Sequence, residues 1–297
     1  MLHFGALEAG GTKMVCAVGN AQGQILERIS LPTRDPENTM PEILAFFREK
    51  QVSAVGVGCF GPVDLDRNSP TYGNITSSPK LQWRNFPMLR RFREALGVPG
   101  GFDTDVNAAA LGEAVWGCTK SVKNSIYITV GTGVGVGVII GGKPYHGMIH
   151  PEGGHIFVHR RPDDPMAKGI CPYHGNCLEG LASGPAIERR WGRKGAELSD
   201  CLAVWELEAF YIGQAICTYI CTLSPERIVV GGGVMHQEQM LPMIRQEVRR
   251  QMHGYIQGKG MDKLEEYIVP VSLGDNQGVM GGVKLAMDAY IEEGGTL

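Results

Sequence analysis

Short apolar runs separated by glycine-containing turns open the chain. The runs His3–Glu8, Met14–Val18 and Ile25–Leu31 each have the length of a strand, and polar turn residues lie between them. This pattern predicts a three-stranded meander with tight turns. The first turn, Glu8–Lys13, carries adjacent glycines, a hydroxyl and an ammonium group, so it is a candidate for binding an anion. It is not a Walker A loop, because Gly11 is followed by Thr12 and a strand instead of a helix.

Helical and strand patterns then alternate along the chain. The segment Thr39–Lys50 has a broad apolar face that includes Ile43 and Phe47, which predicts a helix. The elements expected next are a buried strand at Ala54–Phe60 ending in the turn Gly61–Asp64, a polar surface loop at Asn74–Phe86 around a half-buried Trp83, a helix at Phe86–Leu96, a strand at Gly100–Phe102 and a helix after Asp103–Asn107.

A second round of the same pattern begins at Ser125. The strand Ser125–Val130 leads into the turn Gly131–Gly135, and the strand Val136–Ile140 follows. A dinucleotide-binding fingerprint with this glycine spacing must open a helix, and the glycine and β-branched residues that follow cannot form one. A strand, a Gly/Thr turn and a strand therefore occur twice. This duplication indicates an α/β protein with the actin-like ATPase (ribonuclease H-like) fold, in which two hairpins hold the phosphates of a nucleotide.

The C-terminal half completes a second α/β region. Its expected elements are a helix at Leu202–Leu223, a strand at Arg227–Val230 that runs into Gly231–Gly233, a helix at Gln239–Met252, a strand at Tyr267–Ser272 and a helix from Asn276 to Ile291. Since the chain contains no low-complexity linker, we predict two α/β domains with an interdomain cleft. The smaller domain covers residues 1–115 and the larger covers 116–275, and the C-terminal helix of residues 276–297 is expected to pack back on the smaller one.

Acidic residues follow the predicted strand Gly100–Phe102. Asp103, Asp105 and Asn107 form a D-x-D-x-N motif at the start of a strong helix former. Either acid can simply cap that helix. However, the sites of α/β proteins gather at the carboxyl ends of strands, so the paired acids favour a functional role.

A Cys/His motif lies in the second half of the chain. Cys171, His174 and Cys177 have C-x2-H-x2-C spacing, and His155 lies upstream in the sequence EGGH. Two thiolates and two imidazoles match a structural zinc site, which takes four nitrogen or sulfur ligands in a closed tetrahedron. The alternative is that both cysteines are ordinary buried thiols.

The fourth ligand of this site stays open, since His146, His150 and His159 also lie near the motif in sequence. Glu152 and Glu179 flank the ligands. Closing a metal site between them would fix the direction of both carboxylates.

Composition narrows the class of protein. The 297 residues carry a net charge of −3, and the arginine-rich segments are interleaved with apolar or acidic residues, so nucleic-acid binding is not expected. No apolar run is long enough to span a membrane, and the N-terminus lacks the layout of a signal peptide. The cysteines outside the zinc motif are expected to be reduced core thiols such as Cys16 and Cys221. We therefore expect a cytoplasmic protein.

Several motifs follow one another along nearly the whole chain. They are EAGGTK at Glu8–Lys13, GCFGPVD at Gly58–Asp64, SPKLQWRNFP at Ser78–Pro87, DTDVNAAALGE at Asp103–Glu113, GTGVGVG at Gly131–Gly137, EGGH at Glu152–His155 and CPYHGNCLEGLASGPAIERRWG at Cys171–Gly192. In order and spacing they resemble the ROK family of sugar kinases, repressors and related open reading frames, and most closely its bacterial, zinc-containing fructokinase branch.

The resemblance implies transfer of the γ-phosphate of ATP to a hexose. The fructokinase branch implies that the acceptor is the 6-hydroxyl of D-fructose. Mg²⁺ would accompany ATP and Zn²⁺ would be structural. By position, Asp105 resembles the general base. The residues implied to bind the sugar are Gly61, Asn107, Glu152, His155 and Glu179. The residues implied to bind ATP are Gly10, Gly11, Thr12, Lys13, Thr132, Gly133, Gly231, Gly232 and Gly233. His155 would use one ring nitrogen on zinc and the other on a sugar hydroxyl.

The chain departs from many family members at Glu8, where they carry Asp. Fructokinase-like members share the Glu, and its carboxylate can still hold Mg²⁺ through water. Asn107 can instead help to set the start of the helix.

Other functions compete with fructose phosphorylation. A repressor of this family would carry a helix-turn-helix module before the first strand, which starts here at His3, so we do not expect one. A non-catalytic sugar-binding protein would have lost Asp105 or the phosphate turns. A kinase for glucose, mannose or an N-acylated amino sugar is the main competitor, because few hydrogen bonds separate hexoses. Family analogy favours a homodimer.

Overall fold

A computed structural model describes residues 2–297, without the side chain of Lys259; the predicted domain boundary at residue 1 lies outside them. The fold is mixed α/β, as predicted. The strands are β1 (Phe4–Ala9), β2 (Lys13–Gly19), β3 (Ile25–Pro32), β4 (Ala54–Cys59), β5 (Gly100–Thr104), β6 (Ser125–Val130), β7 (Val134–Ile140), β8 (Lys143–Pro144), β9 (Arg227–Gly231) and β10 (Ile268–Pro270).

Helices alternate with these strands along the chain. They are α1 (Pro36–Glu49), α2 (Met88–Leu96), α3 (Asp105–Val115), α4 (Leu178–Ala182), α5 (Gly184–Trp191), α6 (Leu202–Leu223), α7 (Met240–Met252), α8 (Leu264–Tyr267) and α9 (Gln277–Glu292). Within the described residues, no helix combines the length and the apolar character needed to cross a bilayer.

The first sheet has the strand order β3-β2-β1-β4-β5. Strands β1, β2 and β3 pair antiparallel, which confirms the predicted meander, and β4 and β5 continue the sheet parallel to β1. The carboxyl ends of the parallel strands β1, β4 and β5 lie at the same edge of the sheet. Glu8, Cys59 and Thr104 therefore lie at that edge, where α/β proteins place their sites.

Two compact units divide the chain. One contains the chain up to Lys123, Gly137–Pro151 and Ser272–Leu297, and the other contains Asn124–Val136 and Glu152–Val271. We call them unit 1 and unit 2. The segment Gly137–Pro151, assigned from the sequence to the larger domain, belongs to unit 1 because β7 is bonded there to α3.

Both faces of the first sheet are covered by helices in unit 1. On one face α1 and α2 close an aromatic core that includes Phe47 and Phe92. On the other face α9 packs on β1 and β4, and glycines make this approach possible. A Cβ atom on Gly56 would lie only 1.9 Å from the carbonyl oxygen of Gly282.

The second sheet has the order β10-β9-β6-β7-β8. Strands β6, β9 and β10 are parallel to one another. The long helix α6 packs on α7 in unit 2 and buries Trp205, Tyr211 and Ile216.

Some local predictions need correction. Trp83, predicted to be half-buried, is 2% exposed, because its indole Nε1 donates to the carbonyl oxygen of Arg34 at 2.7 Å and its ring contacts Phe60 and Phe86 edge-on. Cys221, predicted to be a core thiol, is exposed on α6.

Helix and strand ends also shift. The first helix begins at Pro36, before the predicted Thr39, because Asp35 caps it by accepting from the Asn38 amide. The predicted strand Tyr267–Ser272 is shorter, since Tyr267 ends the short helix α8 and β10 stops at Pro270.

Candidate active site and metal centre

The first glycine turn joins β1 to β2 in unit 1. Its ends are held together by the Gly10 amide, which donates to the carbonyl oxygen of Lys13 at 3.0 Å, and a Cβ atom on Gly10 would lie 2.7 Å from that oxygen. The hydroxyl of Thr33 fixes the turn by donating to the carbonyl of Gly10. Gly11, Thr12 and Lys13 are left exposed. The predicted phosphate turn is thus a rigid loop that presents backbone and an ammonium group.

Two carboxyl groups interact next to this turn. Glu8 lies near the end of β1, and burial, followed by the charge of Asp105, raises the pKa of Glu8 to about 7. Asp105 is the first residue of α3, and burial raises its pKa to about 6. The close approach of α3 to β4 depends on Gly58, since a Cβ atom there would lie 2.7 Å from the Cβ of Ala108. A general base needs a pKa near the working pH, and Asp105 meets that requirement.

Gly61 lies close to the first turn. Phe60, which joins Gly61 to the end of β4, donates its backbone amide to the carbonyl oxygen of Ala9 at 2.9 Å, so Gly61 lies next to the end of β1. The bond from Gly61 to Pro62 is cis. The predicted sugar-binding glycine therefore sits in the same unit and at the same sheet edge as Asp105.

Asn107 is tied into the scaffold. Its amide nitrogen Nδ2 donates to Oδ1 of Asp103 at 2.8 Å, and its Oδ1 accepts from the Val138 amide at 3.2 Å. Its backbone amide is capped by the Thr104 hydroxyl, and the residue is only 1% exposed. Of the two roles predicted for Asn107, these contacts match the one at the start of α3, and its sugar-binding role stays a prediction.

The Cys/His motif closes into one cluster in unit 2. The ligand atoms of His155, Cys171, His174 and Cys177 all lie within 4.8 Å of one another. Nδ1 of His155 lies 3.5 Å from Sγ of Cys177 and 3.8 Å from Sγ of Cys171, and Nδ1 of His174 lies 3.6 Å from Sγ of Cys171. The turn that brings these groups together needs Gly175, whose φ is +62°.

His155 faces two groups at once. Its Nδ1 points into the cluster, whereas its Nε2 lies 3.9 Å from Oε1 of Glu179. The other oxygen of Glu179 accepts from the Val134 amide at 3.0 Å and would collide with any side chain on Gly133. Glu152 is exposed, and its carbonyl accepts from the His155 amide. Of these three residues, His155 belongs to the Cys/His cluster, Glu179 lies beside it and Glu152 is joined to His155 through its backbone.

The second glycine turn borders a cavity of about 400 Å³ in unit 2. Gly131 and Thr132 of the turn line it together with Gly233. Gly231 and Gly232 are not among the residues that line it; Gly232 has a φ of +94°, and a Cβ atom on Gly231 would lie 2.6 Å from Val271. A cavity of this size accommodates a nucleoside.

Comparisons with known proteins identify the family. The sequence profile of the ROK family matches residues 4–289. The chain belongs to the ROK family. A fructokinase of Pediococcus pentosaceus is 44% identical to this ROK protein over 286 residues, which are 96% of this chain and 98% of the relative. A fructokinase of Zymomonas mobilis is 43% identical over 294 residues, with 96% and 97% coverage.

A solved structure has the same fold. The ROK glucokinase of Streptomyces griseus, in complex with glucose and AMPPNP, superposes with a TM-score of 0.78 at 27% identity and covers 97% of this chain and 99% of its own. Such ROK sugar kinases have the actin-like ATPase fold, which confirms the fold class predicted from the duplicated hairpins.

The donor set of this ROK chain fits zinc. Four ligands about 2.0–2.3 Å from a central ion in a tetrahedron lie roughly 3.5 Å apart, close to the observed separations. His155 is grouped with the cluster, whereas His146 is bonded to Asp103 and Nε2 of His150 accepts from the Val63 amide. Burial raises the pKa of the Cys177 thiol to about 11, so a thiolate there calls for a cation.

Sequence reasoning missed two residues of unit 1. The side chain of Lys80 lies over the first glycine turn, with its Cε 3.4 Å from the position of a Cβ on Gly11. Nε2 of His146 lies 2.9 Å from Oδ2 of Asp103. In the sequence, Lys80 is only one residue of the motif SPKLQWRNFP, and His146 is only one of several histidines near the Cys/His motif. Neither residue therefore stands in a pattern that indicates a function.

Proposed function

We propose that this ROK protein is an ATP-dependent fructokinase that transfers the γ-phosphate of ATP to the 6-hydroxyl of D-fructose. The observation that carries the proposal is the identity of 44% and 43% to two fructokinases over almost the full length of each chain. The acidic residues at the sheet edge and the two glycine turns supply chemistry of the kind that phosphoryl transfer requires.

Asp105 is proposed as the general base. As the 6-hydroxyl oxygen forms its bond to the γ-phosphorus, the bond from that phosphorus to the bridging oxygen of ADP breaks, and the hydroxyl proton passes to a carboxylate oxygen of Asp105. The raised pKa of Asp105, about 6, keeps this carboxyl ionised at neutral pH while giving it useful basicity.

The remaining predicted residues are proposed in binding roles. Gly61, Asn107, Glu152, His155 and Glu179 would contact the sugar. The residues proposed for ATP are Gly10, Gly11, Thr12 and Lys13 in unit 1 and Thr132, Gly133, Gly231, Gly232 and Gly233 in unit 2.

Two metals belong to the proposal. Mg²⁺ would neutralise charge on ATP, and the carboxylate of Glu8 beside Asp105 is the kind of hard oxygen ligand that it prefers. Zn²⁺ would be structural, held by His155, Cys171, His174 and Cys177. His155 fits both of its roles, because its Nδ1 faces the cluster and its Nε2 faces Glu179.

The proposal is tested by incubating the purified chain with Mg-ATP and single hexoses and measuring ADP release. We expect strong release with fructose and weak release with glucose, mannose or N-acetylated amino sugars. The likeness to a glucokinase favours glucose as the second candidate; release with glucose alone would keep the kinase and replace the substrate. No release with any sugar from folded, zinc-loaded protein would overturn the proposal.

Two further proposals rest on the family resemblance and the cysteines. A homodimer is expected and is checked by light scattering at several concentrations. A cytoplasmic location is expected because Cys171 and Cys177 must stay reduced to bind a metal; secretion of the native protein with oxidised cysteines would contradict it.

A further inference from the structure

The ammonium group of Lys80 lies beside the first glycine turn of unit 1. Its Nζ is 4.0 Å and its Cε 3.4 Å from the position that a Cβ of Gly11 would occupy. The end of the lysine side chain thus lies within van der Waals range of the turn at Gly11. An ammonium group in this place faces the backbone of the turn that we propose for the phosphates of ATP.

The side chain is held in this position by its surroundings. Nζ lies over the ring of Phe60 at 5.8 Å from the centroid, and the Lys80 amide donates to the Ser78 hydroxyl at 3.2 Å. Phe60 itself is bonded to Ala9, the residue that ends β1 before the turn. Packing of the stem and a cation–π contact reduce the rotamer freedom that a free lysine would lose on binding a ligand.

In the part of the chain that the structure describes, Lys80 forms no salt bridge. Among the described residues, no carboxylate lies within ion-pairing distance of Lys80 or of Lys13 on the turn. Most surface lysines of a folded protein can be left unpaired at little cost. Two ammonium groups at one glycine-lined turn are different, because together they favour an oxyanion beside the carboxyl groups of Glu8 and Asp105, and Lys13 already interacts with Glu8.

We propose that Lys80 is a catalytic residue that binds the phosphoryl group during its transfer and stabilises the negative charge on its oxygens. The inference rests on the proposed kinase function. We assign Lys80 to the transferred phosphoryl group and not to the phosphates that remain on ADP. The reason is that Asp105 and Glu8 lie at the same end of β1 as the turn. A phosphoryl group within reach of a hydroxyl at Asp105 is therefore close to Lys80. No bond to Lys80 forms or breaks.

The test compares Lys80→Met, which removes the charge at similar length, with Lys80→Arg, which keeps it. Lys143→Met, at an exposed lysine of β8 in the same unit, is the matched control. With the full chain, Mg-ATP and the accepted hexose, we expect kcat of Lys80→Met to fall on the order of 10²–10³-fold, the usual loss when one preorganised donor to a developing oxyanion is removed. We expect Lys80→Arg to keep at least about a tenth of kcat and Lys143→Met to match the wild type.

Binding separates this role from a structural one. AMPPNP, which carries a third phosphate, should bind Lys80→Met more weakly than the wild type, whereas ADP should bind both equally. Equal weakening of both nucleotides would overturn the proposal, as would a kcat of Lys80→Met within about threefold of wild type. An equal loss in Lys80→Arg and Lys80→Met would point to shape instead of charge and would also overturn it. If the wild type releases no ADP with any hexose, the proposed function fails, and the nucleotide-binding comparison still tests Lys80.

Discussion

Nε2 of His146 lies 2.9 Å from Oδ2 of Asp103, a carboxylate whose side chain is only 3% exposed. The other oxygen of Asp103 accepts from Asn107, whose own oxygen accepts from Val138. The Val138 carbonyl in turn accepts from Tyr145, the neighbour of His146, so the hydrogen bonds form a closed ring. This ring fixes the chain on both sides of Asp105, which lies two residues after Asp103.

We predict that His146→Phe destabilises the protein by about 1 kcal/mol, because one oxygen of a buried carboxylate loses its partner while the exposed side of the pair is screened by water. The hydrogen bond to Asp103 raises the pKa of His146. Because the pKa of His146 is higher in the folded than in the unfolded state, this residue stabilises the protein at pH values below 6.5, its pKa in the unfolded chain. The stabilisation is lost as the pH rises through the pKa of the folded state.

The measurement is urea unfolding of wild type and His146→Phe at several pH values. The gap between the two should be widest below about pH 6.5 and should narrow in alkaline buffer. The exposed Met148, on the same segment, provides the control Met148→Ala, which should not change the pH dependence. A gap that is constant across the pH range would show that the charge of His146 contributes nothing.

Asp105 gives a prediction for turnover. Asp105→Asn keeps the size and the helix start but cannot accept the hydroxyl proton, so we expect kcat to fall on the order of 10²–10⁴-fold with unchanged folding. Near-normal turnover of the folded variant would remove Asp105 from the base role. Circular dichroism and unchanged ADP affinity serve as controls for the fold.

The same residue predicts a pH profile. Burial raises the pKa of Asp105 to about 6, and only the ionised form is a base. We therefore expect kcat/KM for the sugar to rise about tenfold per pH unit below pH 6 and to level off above it. A flat profile between about pH 5 and pH 7 would contradict this assignment.

Much of the fold and part of the site could be predicted because their signals are local. The alternation of apolar residues defines β1, β2 and β3, and the spacing within Cys171–Cys177 defines most of the metal cluster. His146 and Asp103 are 43 residues apart, and Trp83 and Arg34 are 49 apart. No local period encodes such pairs, because they depend on how β5, β7 and the loop before α2 meet after folding. The position of Lys80 over Gly11 has the same origin.

The Cys/His cluster predicts that zinc binding is lost when one of its ligands is replaced. Cys171→Ser replaces a thiolate by a hydroxyl that binds zinc poorly, so we expect the purified variant to lack the zinc that we propose for the wild type. Binding of zinc to a structural site stabilises the fold. The variant should therefore lose on the order of a few kcal/mol of unfolding free energy or become sensitive to protease in the Cys/His loop. Zinc is measured by elemental analysis of protein purified without added metal.

The control for this prediction is Cys221→Ser, which alters an exposed cysteine outside the cluster and should keep its zinc. Wild-type protein that is folded and free of zinc after careful purification would refute a structural zinc site. Retention of zinc by Cys171→Ser would show that the metal is held elsewhere.

Glu208 predicts a second effect of pH on stability. The residue lies in α6 with 0% exposure, and neither carboxyl oxygen has a hydrogen-bond partner among the described residues. Burial raises its pKa well above the model-peptide value of 4.5, and the positive charge of Arg190 only partly opposes this. Folded protein therefore keeps a proton on Glu208 that the unfolded chain releases above about pH 4.5.

The sign follows from that difference in bound protons. The contribution of Glu208 to the free energy of unfolding is complete at pH values below its pKa in the unfolded chain. It falls as the pH rises, by up to about 1.4 kcal/mol per pH unit, until Glu208 ionises in the folded state. Glu208→Gln carries no proton to release, so its advantage over wild type in urea unfolding should grow between about pH 5 and pH 8. Glu206→Gln, at an exposed position of the same helix, should follow the wild type at every pH. If Glu208→Gln tracks the wild type instead, the carboxyl group is ionised in the folded protein and must be compensated by Arg190.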